Sequence, residues 1–301
     1  MKKLVIILSL SLVLISCKTE TKSNGKINVV TTTTMITDLV QQIGGNHINL
    51  NGLMGSGVDP HLYKASEGDV TKLANADIIF YNGLHLEGKL VEVFEKMKNK
   101  KTIAISNAID KNTLIGSEYF ASNYDPHIWF DIDYWIQVTQ FVVDQLSEAV
   151  PQQKLIFQNN GNSYIKALQE LKSEIETAIS KLPQENRILV TAHDAFNYFG
   201  KAFDFKVVGL QGLSTATEAG VQDVQKLSNF IIEHHVKAIF VESSVPKRTI
   251  EALQAAVNSK GHHVKIGGSL YSDALGNAGT TEGTYIGMFK YNVNTIVNAL
   301  K

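Results

Sequence analysis

Three histidines and one aspartate stand apart by their positions. The tripeptide Asp-Pro-His occurs twice, at 59–61 and 125–127, and each copy has an aromatic two residues after its His, Tyr63 and Trp129. His193 closes the apolar run 187–192, and Asp273 stands in 268-GSLYSDALG-276, just past another such run. Proline fixes φ and presses the residue before it into an extended conformation, so His61 and His127 are offered from stiff loops. Asp59 and Asp125 can accept the second ring N–H of a ligand His or close Asx turns, and the turn role is slightly favoured. Three imidazoles and a carboxylate give borderline nitrogen donors and one hard oxygen. That set suits Zn(II), and also Mn(II) or Fe(II), without sulfur. On spacing alone, four unrelated polar turn caps are an equal alternative.

The other six histidines are read as surface groups. His47 sits in a Gly-Gly-Asn-His turn, His234-His235 at a helix end, and His262-His263 after a glycine turn. His85, in 82-NGLHLEG-88, is read as surface or cleft lining.

Positioning four distant residues requires a framework, and the chain alternates β-rich with helical runs. Strands are expected at 27–34, 48–54, 77–83, 102–106, 187–193, 206–212, 236–244 and 263–268. Helices are expected at 35–45, 69–76, 195–203, 221–235, 247–260 and 284–300. Continuous apolar strands alternating with helices predict parallel sheets covered on both faces. Ligands of such sheets bind beyond the carboxyl ends of strands. The candidate residues follow strands of both halves, so they can converge between two lobes. One segment departs from this rhythm: Tyr164, Leu168, Leu171, Ile175, Ala178 and Leu182 form one helical stripe, ended by Pro183. The expected fold is therefore α/β, with two lobes, each a mostly parallel sheet flanked by helices, joined by one long rigid helix. The lobes are placed at 27–150 and 185–301, with the connecting helix region at 151–184.

The N-terminus bears on location. Lys2-Lys3 precedes the apolar run 4–16, which is too short to remain as a membrane span. Leu14-Ile15-Ser16-Cys17 resembles a bacterial lipobox, which implies cleavage before Cys17 and lipidation of its sulfur. An ordinary signal peptide with an incidental cysteine is the lesser reading. Cys17 is the one cysteine of the sequence, so neither an intramolecular disulfide nor a thiolate cluster can form. Residues 18–26 are polar and aperiodic, as in a flexible tether. The net charge of −1 becomes −3 when Lys2 and Lys3 leave, and without a basic stripe nucleic acid is not an expected partner.

The segments 58-VDPHLY-63, 77-DIIFYNGLHLE-87, 125-DPHIWFD-131, 190-VTAHDAFNYF-199, 211-QGLSTATEAG-220, 239-IFVESS-244 and 270-LYSDALG-276 together resemble the metal-binding solute-binding proteins of bacterial ABC importers, the zinc/manganese TroA-like (cluster A-I) lipoproteins. The similarity runs from about residue 27 to the C-terminus. It implies that His61, His127, His193 and Asp273 are the metal ligands and that the long helix joins two lobes. It also implies an importer permease with its ATPase as partners, a lipid-anchored place in the cell envelope, and a monomer without enzymatic activity. Zinc-dedicated members often carry a His-rich insertion, but 107–124 contains no His. Manganese or iron members often have Glu as third ligand, where this chain has His193. Binding of both Zn(II) and Mn(II), zinc more tightly, is the expectation. A secreted zinc hydrolase, with Glu218 or Glu242 facing the cleft as its base, is one alternative. The chain has no H-E-x-x-H motif to support it. A binder of metal chelates is another.

Overall fold

A computed structural model describes residues 25–97, 99–118 and 120–301; the expected leader, the lipobox and Cys17 lie outside the described residues. Eight short apolar runs form the strands β1 (Asn28–Thr31), β2 (Asn49–Gly52), β3 (Ile78–Tyr81), β4 (Lys101–Ala104), β5 (Ile188–His193), β6 (Lys206–Gln211), β7 (Ala238–Glu242) and β8 (Lys265–Leu270). They make two four-stranded sheets, ordered β2-β1-β3-β4 and β6-β5-β7-β8. Every pairing is parallel. Central strands are buried along their length, all five residues of β7 included, because helices cover both faces. In each sheet the chain leaves the first strand towards one edge and returns to pair on its other side. That places a topological switch point beyond the carboxyl ends of β1 and β3, and another beyond β5 and β7.

The helices are α1 (Thr34–Gly44), α2 (Glu67–Ala74), α3 (Val91–Lys96), α4 (Ile132–Ala149), α5 (Lys154–Ile179), α6 (Asn197–Phe203), α7 (Val221–Glu233), α8 (Arg248–Ser259) and α9 (Tyr285–Leu300). The expected long helix is α5, with 26 residues. It begins ten residues before the stripe did, because Phe157 and Gly161 continue the same buried face. Gly161 is there for closeness: a Cβ would meet Val143 Cγ2 at 2.3 Å, so α4 and α5 touch backbone to side chain.

The helix α5 is more than a rod between lobes. It packs on α1 and α4 from the first half and α9 from the second, and one apolar cluster runs through all of them. Phe130 and Phe196 meet across the halves with ring centroids 4.3 Å apart, and Trp135 stacks on Tyr285 at 5.0 Å. Each fully buried large side chain adds about 1.5–3 kcal/mol to holding the halves together. The element α4, which supplies Trp135, is not among the elements expected from the sequence.

Candidate metal centre

Both Asp-Pro-His loops fold the same way. Asp59 Oδ1 accepts the backbone N–H of His61 at 2.8 Å, and Asp125 Oδ1 accepts that of His127 at 2.9 Å. Each is an Asx turn with proline in the middle. Asp125 does more, since the same oxygen lies 2.7 Å from His127 Nδ1. A proton held there leaves the lone pair on Nε2. For Asp59 only the turn role is seen.

The second half contributes from strand ends. His193 is the last residue of β5, and Glu242 is the last of the neighbouring β7. Glu242 Oε1 accepts the His193 backbone N–H at 2.9 Å, while Oε2 lies 2.6 Å from His193 Nδ1. Asp273 follows β8 after two residues.

The four side chains converge. One ligand atom from each of His61, His127, His193 and Asp273 lies within 4.8 Å of all the others. The Nε2 atoms of His61 and His127 are 3.3 Å apart. Asp273 Oδ2 lies 3.2 Å from His193 Nε2 and 3.9 Å from His61 Nε2, and Oδ1 lies 3.7 Å from His127 Nε2. The residues are 5, 0, 0 and 1 % exposed, respectively. Asp273 and the His193 ring find no polar partner outside this cluster and Glu242. A buried carboxylate ringed only by imidazoles is costly unless a positive charge completes it, either a metal ion or, without one, the His193 imidazolium. One ligand atom of each group is gathered in a single small buried volume, and a divalent cation fits the donor set.

The protonation states agree with that use. Burial drives His61 down to about 3, against the pull of Asp273, so its ring is neutral. Burial also opposes a charge on His193, but the carboxylates of Asp273 and Glu242 outweigh it and raise His193 well above the usual imidazole range. Asp273 would be raised by burial, yet the three imidazoles, His193 foremost, hold it below the carboxylate range.

The aromatic after each Asp-Pro-His braces its loop. Tyr63 Oη donates to Asp69 Oδ2 at 2.7 Å, the carboxylate that also closes the capping box of α2. Trp129 Nε1 donates to the carbonyl of Ser272 at 3.0 Å, so the His127 loop is tied to the neighbour of Asp273.

Other supports were not foreseen. Asn82 Nδ2 donates to the Pro126 carbonyl at 2.9 Å, and buried Glu87 accepts from Asn82 N at 2.7 Å and Thr32 Oγ1 at 2.6 Å. Gly209 lets β6 pass close to β5, since a Cβ there would sit 2.5 Å from Asp194 N. Glu242, considered as a cleft-facing base, ends β7 and is turned onto His193. The available signal was that the runs ending at His193 and Glu242 both stop on a polar residue. Glu218 is exposed and pairs with Arg248 at 3.1 Å. His85 is exposed, its ring edge-on to Phe120 at 6.2 Å, and it lies outside the cluster. His47, His234, His235, His262 and His263 also lie outside it.

Comparison with known proteins bears on the same region. Residues 29–299 match the family model described as zinc-uptake complex component A, periplasmic. The chain is 47% identical to the manganese-binding lipoprotein MntA of Bacillus subtilis over 96% of its own length and 95% of that protein's. It is 46% identical to the zinc-binding protein TroA of Treponema pallidum, covering 93% of this chain and 91% of that one. The solved structure of the periplasmic zinc-binding protein TroA from Treponema pallidum superposes with a TM-score of 0.89 at 47% identity, over 92% of this chain and 99% of the other.

Proposed function

The chain belongs to the family of periplasmic zinc-uptake complex A components, and on that premise we propose that it is the extracytoplasmic substrate-binding protein of a divalent-metal ABC importer. His61, His127, His193 and Asp273 bind the ion between the lobes, and the loaded protein hands it to a permease driven by its ATPase. The observation that carries this reading is the convergence of four buried ligand atoms within 4.8 Å, with both Asp273 oxygens lacking other partners. Capture needs no chemistry on the ion. Two ligands come from each half, so the ion also cross-links the lobes at 27–150 and 185–301, with 151–184 as their connection.

The cargo is Zn(II) or Mn(II), with zinc bound more tightly. The two relatives differ in the metal of their names, so the choice rests on the donors: three imidazoles favour zinc, and one hard carboxylate keeps manganese bound. Fe(II) satisfies the same donors. Attachment to the outer face of a membrane through lipidated Cys17 completes the proposal. Among the described residues no helix is long and apolar enough to cross a membrane. A hydrolase would need an open metal position and a free base. A fourth protein ligand and the engagement of Glu242 by His193 support a binding protein over an enzyme. Competition titration of the metal-stripped chain with Zn(II), Mn(II) and Fe(II) against a chelator tests the reading. One ion per chain is expected, with zinc held tightest; no binding of any of the three would refute it.

A further inference from the structure

The two aspartates of the Asp-Pro-His loops each use one oxygen for their own histidine and give the other to the opposite half of the molecule. Asp125 Oδ2 accepts from Asn197 Nδ2 at 3.0 Å, and Asp59 Oδ2 accepts from Thr215 Oγ1 at 2.5 Å. Both ligand histidines of the first half are thus positioned by carboxylates that side chains of the second half hold. The two clasps differ in what surrounds them. Asp125 is fully buried, and Tyr198 Oη also donates to its carbonyl at 2.9 Å. Asp59 is half-buried, and Thr215 is the one buried residue of the irregular stretch 212–220, whose other members are exposed or partly so. A loop with few apolar contacts opens at lower cost than the core. The residue it turns inward meets the Asx turn of His61 through its hydroxyl.

We propose that Thr215 is a positioning residue and that its bond to Asp59 is a releasable clasp, which holds His61 in ligating position and sets how fast the ion leaves. The inference rests on the metal-binding reading above. Opening the 212–220 loop removes the donor from Asp59 Oδ2 and frees the turn that presents His61, while the Asp125 clasp and the aromatic contact between the halves stay closed. His61 is also the most exposed of the four ligands. Release therefore begins with one ligand and needs no separation of the lobes.

The test compares the mature chain with Thr215→Val, which keeps the shape and loses the donor, and Thr215→Ser, which keeps the donor. Zn(II)-loaded protein is mixed with excess chelator and dissociation is followed; amide exchange at His61 is measured separately without metal. Loss of one hydrogen bond to a carboxylate should speed release about tenfold in Thr215→Val and leave Thr215→Ser within about twofold of wild type. The His61 amide should exchange faster only in Thr215→Val. Release from Thr215→Val at the wild-type rate, or from Thr215→Ser as fast as from Thr215→Val, would overturn the clasp. A wild-type chain that bound no ion would refute the metal reading instead, and the exchange measurement would then decide the clasp.

Discussion

His193 stands between two carboxylates, Glu242 at Nδ1 and Asp273 at Nε2, and this governs both its proton and its proposed role as a ligand. Without metal it keeps its proton at neutral pH, because the two negative charges outweigh the effect of burial. An incoming cation must displace that proton, so affinity should rise with pH through the neutral range, by up to about tenfold per unit. Calorimetry in buffers of different ionisation enthalpy should show about one proton released per ion at pH 7. Binding with no proton release would contradict the charge assigned to His193. Glu242→Gln should weaken Zn(II) binding by about 10–100-fold, the usual effect of a lost outer partner, while the fold persists by circular dichroism. His61 carries the opposite sign. The unfolded chain protonates it near 6.5, whereas the fold resists until about 3. Its stabilising contribution is therefore complete above 6.5 and lost as pH falls towards 3. Asp273, held low, acts in the same sense in more acidic solution, while the contribution of raised His193 is present below 6.5 and lost as pH rises through its raised value. Denaturant midpoints of the metal-free chain should fall between pH 6.5 and 3, and His61→Gln should reduce that fall.

At the scale of elements, the close contact of α4 and α5 is the most exposed to a single change. Gly161→Ala forces a methyl against Val143, and should cost about 1–3 kcal/mol by overpacking. Leu168→Ala should cost about 2–5 kcal/mol through the cavity it leaves, since Leu168 is fully buried in the common core. Urea unfolding measures both, and metal stoichiometry should stay at one in each variant. The strands of both sheets and the helices α1, α2, α6, α7, α8 and α9 were legible because apolar runs ended on Gly, Pro and polar turns, whereas the short α3 was not expected. Even the stripe of α5 was plain, for its apolar steps of three and four continue over several turns. The miss at α4 has a physical reason. Its buried residues Ile132, Trp135, Val138, Val142 and Leu146 do repeat at helical spacing, but they follow directly on the apolar loop residues Ile128, Trp129 and Phe130. That continuity hides the start of the helix, which only Asp131 marks, accepting from the N–H groups of Asp133 and Tyr134. The four candidates His61, His127, His193 and Asp273, which the fold brings together, were legible from residue type and from their places in loops and strand ends beyond the sheets. Their supports were not. Glu242 on His193, Asn82 on Pro126 and Thr215 on Asp59 join residues 44 to 156 apart in the chain, and no local pattern encodes such pairs.

At the scale of the whole molecule, three features resist a large hinge motion: the spine α5, the aromatic contact of Phe130 with Phe196, and the bonds of Trp129 and Tyr285 across the halves. Small-angle scattering with and without Zn(II) should give nearly the same radius of gyration, unlike hinged binding proteins that close around their ligand. A decrease of several ångströms would show that the halves move as independent bodies. The central claim concerns the ion itself, and X-ray absorption at the zinc edge tests it most directly. The loaded wild-type chain should show three imidazole ligands and one carboxylate oxygen, without sulfur, and His127→Ala should lose one imidazole. Fewer than three imidazoles in the wild type, or an unchanged ligand set in His127→Ala, would contradict the assignment of the site.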